Sequence, residues 1–219
     1  MPEPTPLPCV LAILGSGETA PTMIKPHRAL FDRLGGGPID AVALDTPYGF
    51  QANAEELSTR TQQYFRQSVG RNVEIAQLRR TEGADPVEVE QALARLRRAH
   101  WVYAGPGSPT YALRQWAPTD LAATLADKLR HGGVVVFSSA AALTLGRYTV
   151  PVYEVYKVGA DPFWLEGLDL LGVIGLPVAL IPHFDNAEGG HHDTRFCYLG
   201  EPRLAYLESQ LPDEAFVLG

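Results

Sequence analysis

Ser139 stands where a run of β-formers, Val134-Val135-Val136-Phe137, gives way to small residues, Ser138-Ser139-Ala140-Ala141-Ala142. A buried strand turning sharply into a helix exposes a hydroxyl at the turn, tolerates only small neighbours and aims the next amide at a developing oxyanion. The three alanines after Ser139 meet that requirement. Phe137, two residues before it, does not, because a small residue suits that place. The same pair of serines can equally cap a helix. A second apolar run, Val178-Ala179-Leu180-Ile181, ends in Pro182-His183-Phe184-Asp185-Asn186. A histidine just past a parallel strand can reach the same rim as Ser139 and take its proton. Two acids are candidates to orient the imidazole. Glu154 lies fifteen residues beyond Ser139 among β-formers that suit an edge strand, and Asp185 lies two residues beyond His183.

Two glycine-bearing turns also follow apolar runs. Gly105-Pro106-Gly107-Ser108 precedes a helical segment, and free amides at such a place can hold a carboxylate, a phosphate or an oxyanion. Gly15, Gly17 and Ala20 satisfy a G-x-G-x-x-A spacing. Pro21 and Pro26 interrupt the long helix that a dinucleotide site needs, so the expectation is a tight turn closing one edge of a pocket, with no nucleotide cofactor. Asp45-Thr46-Pro47-Tyr48 reads as pocket wall and turn. His191, His192, Asp193 and Asp185 invite a metal, but adjacent histidines diverge from an extended chain and do not easily share one tetrahedral centre; no metal is expected.

The elements that must position these residues alternate. Cys9–Leu14, Ile39–Leu44, Val73–Ala76, Trp101–Ala104, Val134–Phe137 and Val178–Ile181 read as strands, several of them apolar throughout as parallel strands covered on both faces are. Asn53–Ser68, Asp85–Arg98 and Asp120–His131 read as helices. In Asp85–Arg98, Asp85 caps, Pro86 suits the first turn, Glu88 completes a capping-box spacing and Val89, Ala92, Leu93 and Leu96 make the buried stripe. Alternation of this kind predicts an α/β fold, a doubly wound, mostly parallel sheet between two helical layers, with ligands at the carboxyl ends of the strands.

With 219 residues and 46% hydrophobic content, one domain over residues 9–219 is expected, after a proline-rich, flexible lead-in at residues 1–8. The ending Phe216-Val217-Leu218-Gly219 reads like the beginning of a strand or its exit, which leaves open whether the chain is truncated there. A formal charge of −7 and the lack of a basic run argue against nucleic acid as a partner. No apolar stretch is long enough to cross a bilayer and no basic, apolar leader opens the chain, so a cytoplasmic protein without a membrane partner is expected. Cys9 and Cys197, far apart and outside any C-x-x-C spacing, fit a reducing compartment.

Taken together, these residues resemble the peptidase S51 family, which includes peptidase E and cyanophycinase, on a fold similar to class I glutamine amidotransferases and flavodoxin. The likeness rests on Ser139-Ala140-Ala141-Ala142 at the family's Ser-Ala-Gly-Ala, on Ile181-Pro182-His183-Phe184 at its Asn-Pro-His-Phe, on Gly105–Ser108 at its oxyanion loop, and on Gly190-His191-His192-Asp193-Thr194-Arg195 at its Gly-His and Thr-Arg. It departs from the family at Phe137, Pro106 and Ala141. The resemblance implies a serine-type hydrolase of a peptide or amide bond. Ser139, His183 and Glu154 would be its catalytic group, the amides of Gly107 and Ala140 its oxyanion hole, and Ser108 and Arg195 its contacts to a small peptide or amide substrate. Arg195 can instead form a surface ion pair with Asp193 or Glu188. The rival reading is a catalytically silent binding domain on the same fold, and either leaves a homodimer open.

Overall fold

The computed structural model describes residues 6–187 and 190–219; the first five residues of the expected lead-in, and Glu188, lie outside them. Its centre is the run of valines before Ser139. Strands β1 (Cys9–Leu14), β2 (Ala41–Leu44), β3 (Glu74–Ile75), β4 (Trp101–Ala104) and β5 (Gly133–Ser138) form one parallel sheet in the order β1-β5-β4-β2-β3. Val134 pairs with Val10 on one side and Trp101 on the other, so β5 is enclosed by apolar neighbours along its length. Every residue of β2, β4 and β5 is buried, because helices cover both faces.

Alternate residues of these strands feed two cores. Val102, Ala104, Val135 and Phe137 pack with Leu93 and Leu96 of α3 (Pro86–Arg98) and with Leu121 and Leu125 of α5 (Leu121–His131). On the other face Trp101, Tyr103, Val134 and Val136 pack with Phe31 of α1 (Ile24–Asp32) and with Phe65 and Val69, which follow α2 (Ala54–Tyr64) in a wide helical turn. Helix α3 begins as its sequence predicts: the Asp85 carboxylate accepts from the Val87 amide at 2.9 Å and Pro86 opens the first turn. Its last carbonyls are met from outside. The buried Lys128 ammonium of α5 donates to Arg97 O at 3.0 Å and Ala99 O at 2.6 Å, while burial lowers its pKa.

A smaller sheet completes the fold. β6 (Tyr148–Thr149), β7 (Leu165–Glu166), β8 (Val178–Leu180) and β9 (Phe216–Leu218) lie in the order β7-β6-β8-β9, with β6 and β7 antiparallel and the other pairs parallel. The run that ends in His183 thus belongs to this second sheet and not to the central one. The segment around Glu154, expected as an edge strand, is helical: Glu154–Val158 form a wide turn closed by Gly159 in the left-handed region. Val152 and Val155, three residues apart, are both buried by it. Among the described residues no helix is long and apolar enough to cross a membrane.

His27 of α1 is fully buried among rings, with Phe65 at 5.1 Å and Tyr64 at 5.9 Å between centroids. Its Nε2–H donates to the Glu18 carbonyl at 2.8 Å and so ties the loop after β1 to α1, while Nδ1 has no partner. Burial lowers its pKa from 6.5, against the weaker pull of Glu18. The unfolded chain therefore binds a proton in a pH range where the folded one refuses it, and stability falls as the pH drops through 6.5 toward the lowered folded value. Urea unfolding at pH values about one unit above and below that point should show a loss on acidification that is smaller in His27→Gln; equal losses in both proteins would remove His27 as the cause.

Candidate active site

The loops that leave β1, β4 and β5 at their carboxyl ends are brought together because β5 lies between β1 and β4. Ser138 ends β5 in extended conformation, with φ −130° and ψ 152°, and Ser139 reverses the chain with φ 50° before α6 (Ser139–Leu143) begins. A residue with a Cβ in the left-handed region costs roughly 1–2 kcal/mol, which the buried elements on either side must overcome. That reversal presents the hydroxyl outward: Ser139 Oγ lies 2.9 Å from His183 Nε2. Phe137 is accommodated because its ring is fully buried beside Trp116, with centroids 6.2 Å apart. Ala141 is buried too, and its amide donates to Gly105 O at 3.2 Å, tying the serine turn to the glycine loop.

His183 is held by its backbone. It also adopts φ 50°, and its carbonyl accepts from the Cys197 amide at 3.2 Å. The donor belongs to α7 (Arg195–Tyr198), in which Phe196, Cys197 and Tyr198 are consecutively left-handed, with φ of 59°, 56° and 65°. The Tyr198 ring stands 6.2 Å from the imidazole at 46°, and Tyr156 packs on Tyr198 at 4.9 Å. The Cys197 thiol, buried in the same wall, is pushed up to about 12, which keeps it protonated and unreactive beside the serine.

The glycine loop is dictated by crowding. Gly107 has φ 149°, and a Cβ there would lie 2.0 Å from the Pro47 carbonyl oxygen; the next amide, Ser108 N, donates to that same oxygen at 2.8 Å. A Cβ on Gly105 would lie 2.5 Å from the Tyr103 hydroxyl. Pro47 thus serves as wall and turn, supported by the fully buried Asp45, whose carboxylate accepts from the Leu78 amide at 2.8 Å and Arg79 Nε at 3.0 Å. Gly107, Ala140, Ser139 and His183 line one hollow of about 360 Å3, which Glu18 of the first glycine-bearing turn helps to close.

The remaining expected site residues stand elsewhere. Glu154 Oε2 accepts from Thr110 Oγ1 at 2.9 Å, because its segment is helical and its side chain meets the first turn of α4 (Pro109–Trp116). Among the described residues no carboxylate hydrogen-bonds to the His183 ring, and Asp185 is exposed. Ser108 is buried and caps α4, its Oγ accepting from the Tyr111 amide at 3.1 Å. The Arg195 fork is taken by Asp193, through Nε at 2.9 Å and Nη2 at 2.8 Å, with Glu201 at 3.2 Å; this pairing holds the Asp193 carboxyl well below its usual range. Sequence reasoning missed Tyr156, Lys157 and Tyr198 in the wall of the hollow. Their only signal was aromatic and basic composition near Glu154 and Arg195, which without the turn geometry points nowhere.

Comparison with known structures decides the fold. No protein-family model and no curated protein sequence matches the chain. A crystal structure of a peptidase from an acI-B1 Actinobacterium superposes with a TM-score of 0.67 at 22% identity, covering 94% of this chain and 78% of that one. A candidate Peptidase E protein from Listeria monocytogenes EGD-e superposes with a TM-score of 0.56 at 12% identity, covering 95% and 89%. The fold is peptidase-E-like. Its central feature, a parallel sheet whose loops meet at one edge, is what the alternation of strands and helices predicts.

Within this peptidase-E-like fold the Gly107 loop is the tightest backbone approach at the site. Gly107→Ala should lower the unfolding free energy by about 1–3 kcal/mol, the range for forced overpacking. Gly36→Ala, where nothing lies within 4 Å of the added carbon, should stay within about 0.5 kcal/mol. Urea unfolding of both variants checks this, and a Gly107→Ala protein as stable as the parent would refute the crowding argument.

Proposed function

We propose that this chain is a serine-type hydrolase of a peptide or amide bond, with Ser139 as nucleophile and His183 as its general base. The observation that carries the reading is the 2.9 Å contact between Ser139 Oγ and His183 Nε2 on a serine held in the left-handed region. A capping serine has no need of such a backbone or such a partner. In this reaction His183 Nε2 takes the hydroxyl proton as Oγ bonds to the substrate carbonyl carbon, and the same proton passes to the departing amine. The amides of Ala140 and Gly107 receive the oxyanion. Water then enters and bonds to the acyl carbon as His183 Nε2 takes its proton, and that proton passes to Ser139 Oγ as the Oγ–carbon bond breaks and the acid leaves. The likeness to peptidases supports a peptide as the substrate.

Glu154, the third member implied by the resemblance, has the lesser task here of fixing Thr110 at the start of the helix that carries the Gly107 loop. The orientation of His183 then rests on its own backbone and on the Tyr198 ring. A silent binding domain would keep the hollow, but it gives no account of the hydroxyl–imidazole contact.

A fluorophosphonate, which forms an Oγ–phosphorus bond with loss of fluoride, should label the wild-type protein at Ser139. Ser139→Ala should not be labelled, and His183→Ala should react about 100-fold more slowly or worse. A wild-type protein that stays unlabelled would favour the silent binder. Glu154→Gln should slow labelling by less than about tenfold, whereas loss of a true orienting acid costs about 10⁴-fold in a triad. A loss of that larger size, with the circular dichroism spectrum unchanged, would return Glu154 to the reacting group.

A further inference from the structure

At the β3 edge of the central sheet, the loop that follows Ile75 and the exposed side of α3 border a hollow of about 430 Å3 that shares no residue with the hollow at Ser139. Glu88, Gln91 and Arg95 line it from α3, at a spacing that puts them on one helix face. Gln77, Arg79 and Arg80 line it from the loop, and a smaller hollow of about 260 Å3 adjoins it through Gln77, Arg79 and Arg95. Gln77 holds a left-handed conformation, with φ 62°, and its Oε1 accepts from Arg95 Nη1 at 3.2 Å.

The arginines of this wall are unevenly answered. Arg79 is met twice, at Nε by the Asp45 carboxylate at 3.0 Å and at Nη2 by Glu55 at 2.5 Å. Glu88 lies in the first turn of α3, where the helix dipole favours a carboxylate, and Glu74 of the smaller hollow is exposed to water. Arg95 donates to the Ala76 carbonyl at 3.1 Å and to Gln77, both of them uncharged. Among the described residues neither Arg80 nor Arg95 has an ion pair, and Arg80 has no hydrogen bond either. Their guanidiniums thus border one hollow from different elements with no carboxylate to hold, on a chain whose formal charge is −7. A guanidinium fork is matched by a pair of anionic oxygens, and the side-chain amides of Gln77 and Gln91 offer further donors beside it.

We propose that this hollow binds a small anion with closely spaced negative oxygens, of the phosphate or polycarboxylate class, gripped between Arg80 and Arg95. The inference does not rest on the hydrolase reading. The site nevertheless backs onto the support of the serine site, because Arg79 joins its wall to the buried Asp45 behind Pro47, and the Arg79 carbonyl accepts from Tyr111 Oη of α4 at 2.8 Å. It is a place for an effector, apart from the place where a bond would be cut.

Isothermal titration calorimetry with inorganic pyrophosphate and, separately, with citrate tests it. At least one of the two should bind the wild-type protein at submillimolar concentration, and Arg80→Gln and Arg95→Gln should each weaken that binding at least about tenfold. Arg66→Gln, at an exposed position outside both hollows, should change it by less than about twofold. Arg80→Gln decides the matter, since that side chain has no hydrogen bond whose loss could disturb the fold; urea unfolding checks the same for Arg95→Gln. Binding of pyrophosphate alone assigns a phosphate ligand and binding of citrate alone a carboxylate one. No binding of either probe at millimolar concentration, binding that survives Arg80→Gln, or an equal loss in Arg66→Gln would each overturn the proposal.

Discussion

The chain must reverse direction at Ser139 within one residue, and the surrounding structure is arranged so that it can. A left-handed serine between a strand and a helix is unfavourable on its own. It persists because β5 is clamped between β1 and β4 up to Ser138, and because α6 starts at once with three buried alanines small enough to pack beneath the turn. The bond from the Ala141 amide to Gly105 O then makes the glycine loop and the serine turn one rigid unit. Held in this way, the Ser139 hydroxyl is placed in advance against the His183 ring.

The second half of the site comes from a different sheet. His183 follows β8, which pairs with β6 and β9, and the left-handed turn of α7 holds its carbonyl. Several consecutive unfavourable backbone conformations, at His183 and again at Phe196–Tyr198, are concentrated around the imidazole and supported by the cluster of Val150, Val155, Ile181, Leu199 and Leu207. The apolar packing of the smaller sheet thus offsets the backbone strain that surrounds this ring. A weaker core there would relax the turn first and the histidine with it.

The parts of this arrangement that were legible in the sequence are those with strong periodicity or unusual composition. The valines of β5, the aromatic β4 and the capped helix α3 are visible because continuous apolar runs and an Asp-Pro start have few other solutions. Ser139 and His183 were legible because each ends such a run. Two-residue strands such as β6 and β7 have no period to read. The edge strand expected around Glu154 failed for a related reason: Val152, Val155 and Tyr156 are β-formers by type, yet the spacing of Val152 and Val155 also fits one helical turn, and burial against the smaller core selected the turn. Arg195 was open between two uses, and the aspartate two residues before it holds its fork through both carboxylate oxygens.

The contact between Gly107 and Pro47 joins the loop after β2 to the loop after β4 at a distance where no atom can be added. Loop length is usually the most permissive variable in such a fold, and the glycines at 35–37 have open space around them. Around Pro47 the opposite holds. One residue inserted between Asp45 and Tyr48 would displace the carbonyl against which Gly107 and Ser108 are seated, and the start of α4 would shift with it. Relatives that share this site are therefore expected to vary freely in length before β2 and hardly at all just after it.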